Sequence, residues 1–260
     1  MPVMTLALEF PPISHLVDWP NFWIEDGPLA FNKIALGYLF AVAATMAIFL
    51  LAGAKAKTSL VPTGVRNVAE ASVDFIRNGI VMQTMGPDGL TWVPFLLTLF
   101  FFIFFNNLLE IIPGWNMPGT ARMALPAFLS LLVWVIFNVV GVMKQGLGGY
   151  LKSSLFPPGV PKALYLLVTP IEFVSTFLVR PFSLAVRLFA NMLAGHILLV
   201  TFGVLAAALW VKGPLVVVMP LPVLMLTFLT GFEILVAFLQ AYIITILAAV
   251  YIGGAMHPEH

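Results

Sequence analysis

The sequence predicts an all-α integral membrane fold. It should hold about five membrane helices and a surface amphipathic helix, the last two membrane helices forming a long, steeply tilted hairpin. Three observations lead there. Of the 260 residues, 61% are hydrophobic and only 9% are charged, whereas soluble domains are about 45–50% apolar and about 25% charged. Apolar runs long enough to cross a ~30 Å hydrocarbon core recur along the chain. The last two runs are much longer than such a core requires.

Residues 1–32 carry Glu9, Asp18, Glu25 and Asp26 together with Trp19 and Trp23, and no basic segment of the kind that opens a cleavable signal peptide. They are expected to form an outer, interfacial arm before a single membrane domain over 33–260. The first span is expected over about 34–53. Residues 63–83 follow as an amphipathic segment, with Val65, Val68, Ala69, Ser72, Val73 and Ile76 on one stripe and Arg66, Glu70, Asp74 and Arg77 off it. That pattern fits a helix lying on the membrane surface. The second span, about 91–112, is dense in phenylalanine and ends in Asn106-Asn107-Leu-Leu-Glu110-Ile-Ile-Pro113. The third covers about 123–143, and a loop rich in Gly and Pro is expected after it.

The final hundred residues hold two apolar stretches, 163–211 and 215–254, separated by Lys212-Gly213-Pro214. At ~1.5 Å per residue they would reach roughly 73 Å and roughly 60 Å as helices. Neither contains a polar cluster able to turn the chain back. Pro170 and Pro181 can kink a helix, but no loop-forming residues surround them. Two steeply tilted helices are therefore expected, and a broad neighbour is needed to justify the tilt. Lys55, Lys57, Arg66, Arg77, Lys144, Lys152 and Lys162 fall on one side of this topology, and Lys33, Arg122 and Lys212 on the other. The basic majority marks the cytoplasmic side, so the N-terminus is expected outside and the C-terminus inside.

Several function classes are disfavoured. There is no cysteine, which removes disulfides, thiolate metal sites and cysteine nucleophiles. The net charge of +1 argues against a nucleic-acid partner. No phosphate-binding loop, zinc-ligand spacing or hydrolytic triad occurs, so no cofactor, no metal and no catalytic chemistry of the chain's own are expected.

The chemistry-bearing residues lie inside the two long stretches. Arg187 is a permanent cation amid apolar residues, where a charge costs at least ~2.5–3.5 kcal/mol. Ser183, Arg187 and Asn191 recur every fourth residue and share one helix face. Nine steps of ~100° put His196 on the opposite face, ~13 Å further along. Glu233, Gln240 and Tyr251 form one stripe of the second stretch. Folding about Gly213-Pro214 sets Arg187 opposite Gln240, and His196 within a turn of Glu233. Glu110, closing the second span on the same side, can join that second level. Glu and His exchange protons near neutral pH when burial and proximity tune them, which suits a proton uptake path. A fixed cation suits an electrostatic gate. The residues alone also accommodate a transporter or channel using Arg187 as a substrate or counter-ion site, or a structural anchor. No internal repeat or midplane-broken helix of the transporter kind is present.

The run Pro170-Ile-Glu172-Phe-Val-Ser175, then Arg180-Pro181-Phe-Ser183-Leu-Ala-Val-Arg187-Leu-Phe-Ala-Asn191-Met-Leu-Ala-Gly195-His196, resembles subunit a of the F-type ATP synthases. So do Glu233 with Gln240-Ala-Tyr and Tyr251-Ile, and the Asn106-to-Gly114 stretch. The resemblance spans roughly 30–255. It implies a proton-translocating stator subunit with two offset half-channels beside a rotating ring of c subunits, together with peripheral-stalk b subunits and the rest of the ATP synthase complex. It implies Arg187 as the stator arginine, flanked by Asn191 and Gln240, and an outer path through Glu110, His196 and Glu233. Ser183, Glu172 and Tyr251 would lie toward the cytoplasmic side. Some relatives carry an acid where His196 stands and a histidine where Glu233 stands; here the pair is exchanged. The implied location is a bacterial plasma (inner) membrane.

Overall fold

The structure is a computed structural model that describes residues 32–56, 64–112, 115, 117–156, 160–161, 164–210 and 214–256. Apart from Asn32, the N-terminal arm lies outside the described residues, as do the expected C-terminal tail and the tip of the Lys212-Gly213-Pro214 turn up to Gly213.

Helix α1 covers Lys33–Ala56. Its start is capped by the Asn32 side chain, whose Oδ1 accepts the backbone N–H groups of Ile34 and Ala35 at 3.1 and 3.0 Å, two donors that the first turn otherwise leaves unpaired. Helix α2 covers Val65–Ile76 and continues as a π-helical turn over Arg77–Val81. Its inward face is Ala69, Ile76 and Ile80, with Val73 half-buried. Val65 and Val68, expected on the same stripe, are exposed instead. The helix is amphipathic as expected, but its apolar face rests on α1 and on α3 (Val93–Leu108).

Helix α3 follows a 3₁₀ turn over Pro87–Trp92, so it is entered four residues earlier than the expected span. Its phenylalanines largely face inward: Phe100 and Phe101 are buried. Phe100 makes edge contacts with Phe75 of α2 and with Phe238 of the last helix, at centroid distances of 6.0 and 5.6 Å. Such pairs contribute about 0.5–1.5 kcal/mol beyond area burial. The helix ends at Leu108, and Leu109–Ile112 turn the chain.

Helix α4 covers Ala124–Leu155, well past the expected end near Met143. The surplus is not a straight extension. Gly146 sits at φ 73°, ψ 160°, so the chain turns there and a short second helical piece follows. That piece folds Tyr150 onto Gly141: a Cβ at Gly141 would overlap the tyrosine ring. Tyr150 also donates to Asn138 Oδ1 at 3.0 Å, and Gln145 Nε2 donates to the Ala255 carbonyl at 2.9 Å. The loop expected after the third span is therefore partly a folded-back helix.

Helix α5 runs unbroken over Tyr165–Leu209 and helix α6 over Pro220–Met256. The single-helix expectation holds despite two prolines in α5. Residues Ser175–Val179 adopt a π-helical turn, with the Arg180 N–H bonded to the Ser175 carbonyl five residues back. This wider turn lies between Pro170 and Pro181, whose rings remove a donor and crowd the preceding carbonyl. Helix α6 starts later than expected because Pro214–Val217 form a 3₁₀ turn first. It is the hub of the fold, packing against α3, α4 and α5. Ala237, Ala241, Ile244, Ala248, Ala249 and Ile252 are all essentially inaccessible along it. The run of small residues lets neighbouring helices approach closely without lipid between them. Among the described residues, five helices are long and apolar enough to cross a membrane.

Candidate functional site

The polar groups of the hairpin fall into three levels. At the first, Arg187 is exposed while its neighbours Leu184, Ala185 and Leu188 are buried. The side chain thus projects from the face of α5 turned away from the core. Among the described residues, no carboxylate lies within ion-pair distance of its guanidinium. One turn further, Asn191 Nδ2 donates to Gln240 Oε1 at 2.7 Å. Gln240 is 1% exposed, and its Nε2 has no partner. Gln240 therefore bonds to Asn191, one turn from the Arg187 opposite which the hairpin estimate set it.

The second level is buried. His196, Glu110 and Glu233 are 4%, 4% and 5% exposed. His196 Nδ1 lies 3.5 Å from Glu110 Oε1, a distance that becomes an ion pair when the imidazole is protonated. Glu233 reaches the same region from α6. A Cβ placed on Gly195, the residue before His196, would overlap its carboxyl group. Beside this cluster lies an open cleft of about 370 Å³ that Glu110 and His196 line together with Gly203 and Thr230. A Cβ at Gly203 would meet nothing within 4 Å, so no atom obstructs that wall. Glu233 Oε2 and Glu110 Oε1 are buried without a hydrogen-bond partner. Such orphans are rare in folded proteins and call for water or an exchangeable proton.

At the third level, Arg180 lies over the Tyr251 ring at 5.3 Å from its centroid. Both line a crevice with Ser130, Trp134 and Leu184 that is too narrow to admit a water molecule. The Trp134 indole N–H is buried there without a partner. Ser183 and Glu172 are half-buried on α5, and among the described residues no hydrogen bond or ion pair joins either to the other polar groups.

Comparison with known proteins identifies the family of the chain. The family model described as ATP synthase A chain matches residues 36–253. The chain is 43% identical to ATP synthase subunit a of Frankia alni over 93% of its length and 83% of the relative's. It is 40% identical to ATP synthase subunit a of Rhodococcus erythropolis, covering 99% of this chain and 94% of that one. The same named subunit of Maricaulis maris is 40% identical, over 89% and 91%. The chain belongs to the ATP synthase A chain family. It is an integral membrane, membrane-sector subunit of a proton-translocating ATP synthase.

Among the family's members this chain shows how the levels are held apart. Arg187 and His196 sit on one helix but point oppositely, one outward and one into the core. The structure brings His196 to Glu110 beside one cleft, sets Glu233 against Gly195, and bonds Asn191 to Gln240, while among the described residues Ser183 and Glu172 remain separate from these groups. Two further residues stand in the quoted motif, but the sequence reading gives them no role. Gly195 makes the space that Glu233 fills; its place one residue before His196 and across the hairpin from Glu233 was the available signal. Arg180 is two turns before Arg187 on nearly the same face, and that seven-residue spacing would have drawn it in with Tyr251.

Proposed function

We propose that the chain is the proton-conducting stator of the membrane sector, forming two offset half-channels against a ring of c subunits. The observation that carries this reading is the opposite facing of Arg187 and His196 on α5. The permanent cation is presented outward with no partner among the described residues, while the proton-exchanging groups are buried beside an open cleft. A cation without an ion-pair partner among the described residues and set in an apolar face calls for an anion on another molecule. A ring carboxylate supplies it.

A proton enters from the outer side through the cleft and passes among Glu110, His196 and Glu233. It then neutralises a ring carboxylate, and the neutral acid can turn through lipid at low cost, as a charged one cannot. After nearly a full turn the acid approaches Arg187 from the other side. The guanidinium favours its ionised form, and the proton leaves toward the cytoplasm past Ser183, Glu172 and Tyr251. Arg187 repels protons and so blocks a direct leak between the half-channels. The Asn191–Gln240 bond fixes the helix spacing beside it. The chain performs no bond-making chemistry; it couples proton flow to rotation, and rotation drives ATP synthesis elsewhere in the complex.

The broad exposed face of the hairpin, including Leu178, Phe182 and Leu198 of α5 and Leu235 and Leu239 of α6, is where the ring would seat. Peripheral-stalk b subunits would hold the chain against rotation. The basic side faces the cytoplasm of a bacterial cell, with the N-terminus outside the plasma membrane. Proton-driven ATP synthesis in vesicles bearing Arg187→Ala tests the gate: loss of coupled synthesis is expected, and retained synthesis overturns it. Unchanged proton flux after removing both His196 and Glu233 would take those two off the uptake path.

A further inference from the structure

A further cavity shares no lining residue with the hairpin's polar levels. It is a groove of about 920 Å³ where the 3₁₀ turn before α3, the first part of α4 and the end of α6 meet. Its floor is apolar and open: Val139 is 49% and Met143 80% exposed, and Val140 continues the wall. Its rim is polar. Lys144 is supplied by α4, and Asp88 and Trp92 by the 3₁₀ turn. These groups mark where two membrane helices end and one begins, so the rim lies at the level of the membrane interface. Trp is favoured at that level, and a lysine there keeps its stem on apolar surface and its ammonium at the headgroups.

We propose that this groove binds one phospholipid whose headgroup carries both a phosphate and a primary ammonium. An acyl chain lies along Val139, Val140 and Met143. The phosphate meets the Lys144 ammonium, as basic pockets between membrane helices are known to favour lipid phosphates. The lipid ammonium meets Asp88. That carboxylate already has an interaction within the chain, and its two oxygens can accept further donors. The pairing of one cation with one anion at the rim selects a zwitterionic headgroup over an anionic one. The volume falls within the ~300–1,000 Å³ of small-molecule sites, and the ratio of apolar floor to polar rim matches an amphiphile. This inference rests on residues that the proton path does not use and stands whether or not that path is as proposed.

The test uses the whole ATP synthase complex, purified in detergent from membranes containing both phosphatidylethanolamine and phosphatidylglycerol, washed, and assayed for retained lipid by mass spectrometry. Phosphatidylethanolamine is expected to stay with the complex. Lys144→Glu and Val139→Trp should each lower its retention about tenfold, while Leu147→Trp, on exposed surface past the Gly146 turn, should not. Equal retention in all variants overturns the site. Preferential retention of phosphatidylglycerol overturns the zwitterionic headgroup. A photoreactive amino acid at position 139 of otherwise unaltered complex gives an independent readout. An adduct with the mass of a phospholipid supports the inference, and an adduct with another subunit shows that a protein helix fills the groove and overturns it.

Discussion

Gly195 of α5 and Glu233 of α6 approach so closely that a methyl group on the glycine would occupy the space of the carboxyl group. The obstacle is the far end of a flexible side chain, not backbone. Gly195→Ala should therefore leave the helices in place and swing the Glu233 carboxyl away from the His196–Glu110 pair. We expect the complex to assemble normally while proton-driven ATP synthesis falls about tenfold, the equivalent of ~1.4 kcal/mol in a barrier. Shortening the acid in the same chain, Gly195→Ala with Glu233→Asp, should restore part of the rate. Vesicle synthesis rates normalised to assembled complex measure both. Undiminished synthesis in Gly195→Leu would show that the carboxyl position is immaterial.

The hydrogen bond between Asn191 and Gln240 joins the two hairpin helices one turn from Arg187. Interhelical polar bonds in membranes average about 0.6 kcal/mol and reach about 1.7. Gln240→Leu and Asn191→Leu should each destabilise the assembled subunit, and the double variant should cost less than the two singles combined. The coupling energy should be about 0.5–1.5 kcal/mol, since the partner is removed with the bond. A double-variant cycle read by denaturant resistance of the complex gives this number. Strict additivity would mean that the bond contributes nothing.

Gly146 offers a test of backbone strain free of packing. Its φ of 73° with ψ of 160° lies in a region that side chains rarely adopt, and a Cβ there would meet nothing within 4 Å. Gly146→Ala should lower stability by about 1–3 kcal/mol from strain alone. Gly141→Ala acts differently, by driving the Tyr150 ring out of its seat. Both should loosen the folded-back end of α4, and proteolysis near Ser153 should report it. Identical cleavage rates in wild type and Gly146→Ala would show that the turn relaxes without cost.

Much of this architecture was legible because the membrane limits the choices. Long apolar runs had to be helices, as backbone polar groups need internal partners in lipid. The nine-residue spacing of Arg187 and His196 puts them on opposite faces by helix geometry alone. The hairpin's level matching set Glu233 beside His196. Other features depend on information that period and hydropathy do not carry. The turn at Gly146 sits in a stretch of glycines that reads as loop, and only the Tyr150–Gly141 contact makes its second half helical. The inward face of α2 is chosen by α1 and α3, so Val65 and Val68 are left out although they share the stripe. The one-turn offset of Gln240 toward Asn191 comes from the 3₁₀ turn at Pro214–Val217, which delays α6. Gly195 was invisible because a glycine's role there is the room it leaves.

Arg180 and Tyr251 bring α5 and α6 together at the level beyond Ser183, with the guanidinium 5.3 Å from the ring centroid. Such contacts contribute roughly 0.5–1 kcal/mol when exposed and about 2 when desolvated. Here both residues are half-buried beside a narrow crevice, so an intermediate value is expected. The attraction needs the ring face and not the phenol hydroxyl. Tyr251→Phe should therefore retain the thermal stability of the complex, while Tyr251→Leu should lose it by about 1 kcal/mol. Arg180→Lys should fall between, because a compact ammonium cannot stack on the ring as a planar guanidinium does. Thermal inactivation of the three variants ranks them. If Tyr251→Phe falls as far as Tyr251→Leu, the hydroxyl and not the ring holds this end of the hairpin.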